Sequence, residues 1–186
     1  MSFIEKTDYL QSLLDKGDGI VRFPDGKYII SKPLEISDNT RLICSPRTHL
    51  KLADGAGCPI IRNRDQGQKM TKNIVIEGGI WDGNNLNQQR QNIKDKIMKK
   101  SFWHVIGFTY VKDFTLRGMA IKDPEGYAVQ LAGVERFTVE DITFDFNLES
   151  LNMDGIHVDG FARDGHITNL KGITNDDMVA LNSDEG

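Results

Sequence analysis

Short alternations of apolar and polar residues recur along this chain, separated by Gly, Pro, Asn and Asp. The N-terminus has a different period, and residues 84–101 interrupt the alternation. In residues 3–16 the apolar positions Ile4, Tyr9, Leu10, Leu13 and Leu14 fall at helical spacing, and Gly17 is a natural stop. This stretch predicts a short helix that caps the end of a β-structure. Residues 19–26 read as a strand entering a Pro24-Asp25-Gly26 turn, followed by short strands at 28–31, 34–36, 41–44 and 49–52. Further on, one unit repeats at 74–80, 114–121 and 137–144 and, more loosely, at 166–173. A second strand set, at 105–108, 129–131, 156–158 and 179–181, alternates with it. Two or three short strands per repeat predict an all-β fold, a parallel β-helix, whose coils bury a core only by stacking. The shared pattern predicts two inward ladders: Ile76, Leu116, Val139 and Ile167, and Ile106, Val129, Ile156 and Val179. The whole of 1–186 reads as one domain, with 1–17 as the N-terminal cap and 84–101 as an insertion loop.

Charge and composition narrow the function. The net charge of −4 gives no reason to expect nucleic-acid binding, and no apolar run is long enough to span a membrane. Cys44 and Cys58 fit no metal spacing and read as free buried thiols. The first residues lack the charged start and apolar core of a signal peptide, so the localisation stays open. The insertion carries Arg90, Lys94, Lys96, Lys99 and Lys100, either a solvated loop or short helix, or a cationic wall suited to an acidic substrate.

Three acids then stand out. Residues 154–158 overlay 177–181 with an offset of 23 residues, one turn of a coiled β-architecture. Asp154 and Asp177 are therefore expected as stacked neighbours about 4.8 Å apart along the stack, with Asp176 just outside. Carboxylates this close repel, so at least one pKa is expected to rise. A raised carboxyl beside an ionised one is the pairing that glycoside hydrolysis requires. The competing reading is that such residues merely cap solenoid corners. In the same alignment His104 and Tyr127 share the column of Asp154 and Asp177, where a ring could line a sugar subsite. His157 points outward with no evident partner, either a substrate contact or an inert surface residue. His166 looks like a turn residue, His49 has no evident role, and Trp81 and Trp103 read as packing.

At these residues the chain resembles polygalacturonase-type enzymes of glycoside hydrolase family 28. Phe23-Pro24-Asp25-Gly26-Lys27-Tyr28 is similar to the first coil of pectin-active β-helices, and residues 72–84 to the next. Asn152-Met153-Asp154-Gly155 matches the family's Asn-Thr-Asp-Gly motif with one change, and Asn175-Asp176-Asp177 its Gly-Asp-Asp motif with one change. The resemblance implies a right-handed parallel β-helix that hydrolyses pectic or uronic-acid polysaccharide with inversion. Asp176 would protonate the leaving oxygen, while Asp154 and Asp177 would activate water. His157, Tyr127, Gln130, His104 and Asn182 would be substrate contacts. No cofactor and no metal are implied, and the family is usually secreted or periplasmic. The family's later Gly-His-Gly and Arg-x-Lys motifs have no counterpart before Gly186, and the family often has Asp where His157 stands. The chain is therefore expected to lack C-terminal coils and to self-associate through its open last coil. Alternatives are a non-catalytic module that binds polysaccharide or serves a structural role and, less favoured, a polysaccharide lyase.

Overall fold

A computed structural model describes residues 2–16, 19–88 and 104–182. Gly17, Trp103 and the basic residues of the 84–101 insertion lie outside these. The described chain is a right-handed parallel β-helix. Its strands are β1 (Ile4–Glu5), β2 (Ile20–Phe23), β3 (Gly26–Ile30), β4 (Leu34–Ile36), β5 (Thr40–Cys44), β6 (Thr48–Leu52), β7 (Ile61–Asn63), β8 (Thr71–Glu77) and β9 (Ile80–Asp82). There follow β10 (Ile106–Lys122), β11 (Val129–Asp145), β12 (Ile156–Thr168), β13 (Lys171–Ile173) and β14 (Val179–Asn182). Every pairing is parallel, and each joins a strand to one a coil away.

The long strands β10 and β11 are each several short strands bent round corners. At one corner the residues Asn39, Asn73, Asp113, Arg136 and Asp164 stack with φ of 58°, 55°, 57°, 48° and 57°. That left-handed conformation suits Asn and Asp, whose short polar side chains tolerate it. Arg136 is the exception in type, and its guanidinium grips the Asp113 carboxylate from the coil below through two hydrogen bonds of 2.7 and 2.6 Å. These corners let one strand feed the next face without breaking the ladder.

Both predicted ladders form. Leu116 pairs with Ile76 and Val139, and Val139 with Ile167. Ile106 pairs with Val129, Val129 with Ile156, and Ile156 with Val179. The second ladder also runs back through Ile61 to Leu34. The central rungs are fully buried, whereas Ile167 is partly buried and Val179 is exposed in the last described coil. Trp81, Phe108, Phe114 and Phe144 fill the same core. Trp81 is packing, as its sequence context suggested, and its indole N–H donates to the Gly78 carbonyl.

Three local expectations need correction. The helix α1 spans Thr7–Leu14 and does not begin at residue 3. Ile4 and Glu5 instead pair with Tyr28 and Ile29 of β3, and the Glu5 carboxylate accepts from the Thr7 N–H and hydroxyl where the helix starts. Leu10 and Leu14 then cover the end of the core, while Ile4 and Tyr9 face solvent. His166 is not in a turn, since it pairs with Thr138 within β12. Cys44 is buried and Cys58 only half-buried, both as free thiols. Burial pushes the Cys44 thiol up to about 12 and, against the pull of Arg62, the Cys58 thiol up to about 11.

Candidate active site

The site lies where the chain enters β10, β11, β12 and β14. Backbone hydrogen bonds set its register: Val105 N–H to the Tyr127 carbonyl (3.2 Å), Ala128 N–H to that of Asp154 (2.8 Å), and Gly155 N–H to that of Asp177 (2.9 Å). His104, Tyr127, Asp154 and Asp177 therefore occupy successive rungs of one column, and Asp176 precedes the last of them. Asp154 is buried, at 4% exposure, whereas Asp176 and Asp177 are exposed.

The two acid-bearing turns are tied together by Asn175. Its side-chain oxygen accepts the Met153 N–H at 2.8 Å, and its amide nitrogen donates to the Ser150 carbonyl. Met153 is wholly buried beneath this bridge, and Asn152 takes a left-handed φ of 57°. Asn175 thus bridges two segments 22 residues apart, fixing the start of one motif against the other. Thr174 adds a hydroxyl donated to the Asp176 carbonyl.

His157 has partners on every side. The outward alternation holds, with Ile156 and Val158 in the core, yet His157 is only 3% exposed. Its Nδ1 lies 2.6 Å from an Asp154 carboxylate oxygen and its Nε2 lies 2.9 Å from one of Asp159. The Tyr127 ring stacks on it at 3.7 Å with 9° between the planes. The Asn182 amide stands 2.9 Å from Nε2, and the Gln130 amide donates to the other Asp159 oxygen. Burial acts to lower the His157 pKa, but the hydrogen bonds and charges of Asp154 and Asp159 overcome it and raise it to about 9.

Asp159 was not anticipated from the sequence. It is 1% exposed and belongs to the column of Ala132 and Asn182. Its signal was its outward position two residues after His157 and the small Ala132 beside it, which leaves room. His104 is also buried, and burial, opposed by the Asp159 charge, pushes its pKa down to about 4. Its ring fills the space above Gly107: a Cβ there would stand 2.0 Å from His104 Nε2. Of the five expected substrate contacts, then, His104 and His157 are buried, whereas Tyr127, Gln130 and Asn182 are half-buried. Among the described residues no cluster of three or more His, Cys, Asp or Glu is arranged to hold a metal, and no helix is long and apolar enough to cross a membrane.

The profile of the family "Glycosyl hydrolases family 28" matches residues 44–186, most of the chain. The chain belongs to glycosyl hydrolase family 28. Among solved structures, the polygalacturonase of Erwinia carotovora superposes with a TM-score of 0.72 at 18% identity, over 96% of this chain and 55% of that one. An exopolygalacturonase of Thermotoga maritima superposes with a TM-score of 0.75 at 14% identity, over 97% and 51%. A protein of Parabacteroides merdae gives 0.58 at 14% identity, over 98% and 90%. This family 28 chain thus spans about half the length of the two polygalacturonases and nearly all of the Parabacteroides protein. At these identities the likeness speaks for the fold. No curated protein matches the chain.

Proposed function

We propose that this chain carries the acid cluster of an inverting glycoside hydrolase acting on pectic or uronic-acid polysaccharide. The observation that supports it most is the column itself: Asp154 and Asp177 occupy consecutive rungs, held in register by the Gly155–Asp177 backbone bond at 2.9 Å and by the Asn175 bridge. Corner-capping alone would not require two acid motifs to be locked together across coils. In this reading exposed Asp176 is the general acid, since a group that must meet the leaving oxygen has to reach the surface. Asp154 and Asp177 hold and activate the attacking water on the other side of the bond, which gives inversion. One Asp154 oxygen is committed to His157, which leaves the other free to orient water.

One observation favours a second reading, in which the module binds polysaccharide without cutting it: Asp154 is 4% exposed, so its column is less open than an unoccupied acid pair needs to be. Reducing-end release from polygalacturonate separates the readings. The hydrolase reading expects turnover that survives a chelator, a product of inverted anomeric configuration by proton NMR, and a loss of roughly 10²–10⁴-fold in Asp176→Asn with the fold intact. Binding without turnover would support the second reading. Chelator-sensitive release of an unsaturated product would point to a lyase.

A further inference from the structure

Beside the acid column stands a group whose chemistry the three-acid reading does not use. A neutral imidazole has one donor and one acceptor nitrogen. In His157 both nitrogens face carboxylate oxygens, Nδ1 at 2.6 Å from Asp154 and Nε2 at 2.9 Å from Asp159. With an Nε2–H tautomer the Nδ1 lone pair would face Asp154; with an Nδ1–H tautomer Nε2 could accept from the Asn182 amide, but its lone pair would still face the Asp159 oxygen at 2.9 Å. A ring protonated at both positions sets a positive charge against both carboxylates and offers a donor to the Asp159 oxygen, which is buried and otherwise takes no hydrogen bond. The surroundings agree. Gln130 donates to the remaining Asp159 oxygen, which fixes that carboxylate as an acceptor. Tyr127 lies flat on the ring at 3.7 Å, the arrangement in which an aromatic face favours a cation. The Asn182 amide nitrogen is placed 2.9 Å from Nε2, and a doubly protonated ring requires this amide turned end for end so that its oxygen accepts, the two ends being interchangeable in placement.

We propose that His157 is a positioning residue: a doubly protonated ring clamped between Asp154 and Asp159, which holds Asp154 as an oriented carboxylate and does not itself touch substrate. The proposal rests on the hydrolase reading for its kinetic consequence, not for its geometry. Asp154 is buried and has Asp177 one rung away. The imidazolium takes up one carboxylate oxygen, so the other keeps a single orientation. The titratable groups that face this unit are Asp154 and Asp159 along its own strand, Tyr127 from the preceding coil and Asp177 from the following one; His104 acts on it through Asp159. Gln130 and Asn182 are the uncharged members.

The first test needs no activity. In protein labelled with nitrogen-15 at histidine, the His157 ring should be protonated at both nitrogens at pH 7.5 and should lose a proton only near pH 9. A ring with one proton at pH 7.5 would overturn the clamp. The second test compares His157→Gln and His157→Phe with the parent after circular dichroism has verified both folds. The acidic limb of the kcat/KM profile should move to higher pH by about one unit, a loss of about 10-fold on that limb, with KM little changed. A rise in KM at constant kcat would show a substrate contact and overturn the proposal, as would a profile unchanged in both variants. A parent that is doubly protonated at His157 yet inactive on every glycan would defeat the hydrolase reading alone. The Asp154 carboxyl carbon resonance then decides the clamp, which requires that resonance to move in His157→Gln as the bond to Nδ1 is lost; an unmoved resonance would overturn it.

Discussion

Two buried histidines at the site place opposite demands on pH. His157 is raised from 6.5 to about 9, so the stability that its protonation supplies is complete below pH 6.5 and is lost as the pH rises through 9. His104 is lowered from 6.5 to about 4, so its neutral, buried form stabilises fully above pH 6.5, and this is lost as the pH falls through 4. The expected outcome is a maximum in Tm near pH 6.5. A scan of His157→Gln should lose the alkaline flank and keep the acid one, and a flank that persists would assign it to another group. Gly107 shares the column of Gln130 and His157 and lies against the ring of His104. Gly107→Ala would bring a Cβ to 2.0 Å from the ring of His104, which is boxed in by burial. Overpacking of this kind typically costs ~1–3 kcal/mol, which denaturant titration would show as a lower midpoint with an unchanged slope. The thiols give a third check. Cys44 and Cys58 are held at about 12 and about 11, so a thiol reagent at neutral pH should label the folded protein slowly and the unfolded protein at once.

At the scale of the element, the repeat made the ladders legible. Ile156 had to face inward because Ile106 and Val129 occupy the same place in earlier units, and it is fully buried. Ile156→Asp should unfold the domain, since an unpaired buried charge costs several kcal/mol, and a melting point within a few degrees of the parent would refute the register. The acid column was legible for the same reason: a 23-residue offset between two acids is a statement about rungs. What alternation could not tell was how an outward residue is covered. His157 faces out, yet Tyr127 from one coil and Asn182 from the next close over it. Those contacts depend on side chains reaching between coils, and strand period carries no information about reach. Asn175 was hidden for a related reason. It stands where the resembled motif has Gly, and only in the fold does it bond residues 150 and 153. The helix start was misjudged because Ile4 fits a helical stripe, while the free edge of β3 takes residues 4 and 5 as a strand. Asn175→Ala should leave secondary structure unchanged and cost ~1–3 kcal/mol for the orphaned Met153 N–H. In the hydrolase reading, it should also lower kcat by loosening Asp154 against Asp177.

For the whole molecule, a solenoid is a one-dimensional stack in which each coil is stabilised by its neighbours. Protection against exchange should therefore follow the number of flanking coils and not sequence propensity. The strand β11 pairs with β10 on one side and with β12 and β13 on the other, so nearly all of its length is flanked twice. Among the described residues β14 pairs only with β12, and β13 only with β11. Exposure follows the same gradient: Val129 and Val139 are fully buried, whereas Ile173, Val179 and Leu181 are 58%, 37% and 73% exposed. The acids are divided by this gradient. Asp154 enters the doubly flanked side, while Asp176 and Asp177 lead into the singly flanked strand β14. Native-state hydrogen exchange should find the β10 and β11 amides opening only with global unfolding and those of β13 and β14 opening at much lower free energy. If so, the geometry of Asp177 relative to Asp154 depends on whatever stabilises β14. A covering that buries Val179 and Leu181 should then raise protection at Gly155 and Ile156, whose N–H groups bond the carbonyls of Asp177 and Met178, before it affects any amide of β10. Uniform protection from β10 to β14 would show that the stack is fully cooperative and that the site does not inherit the stability of its outermost described coil.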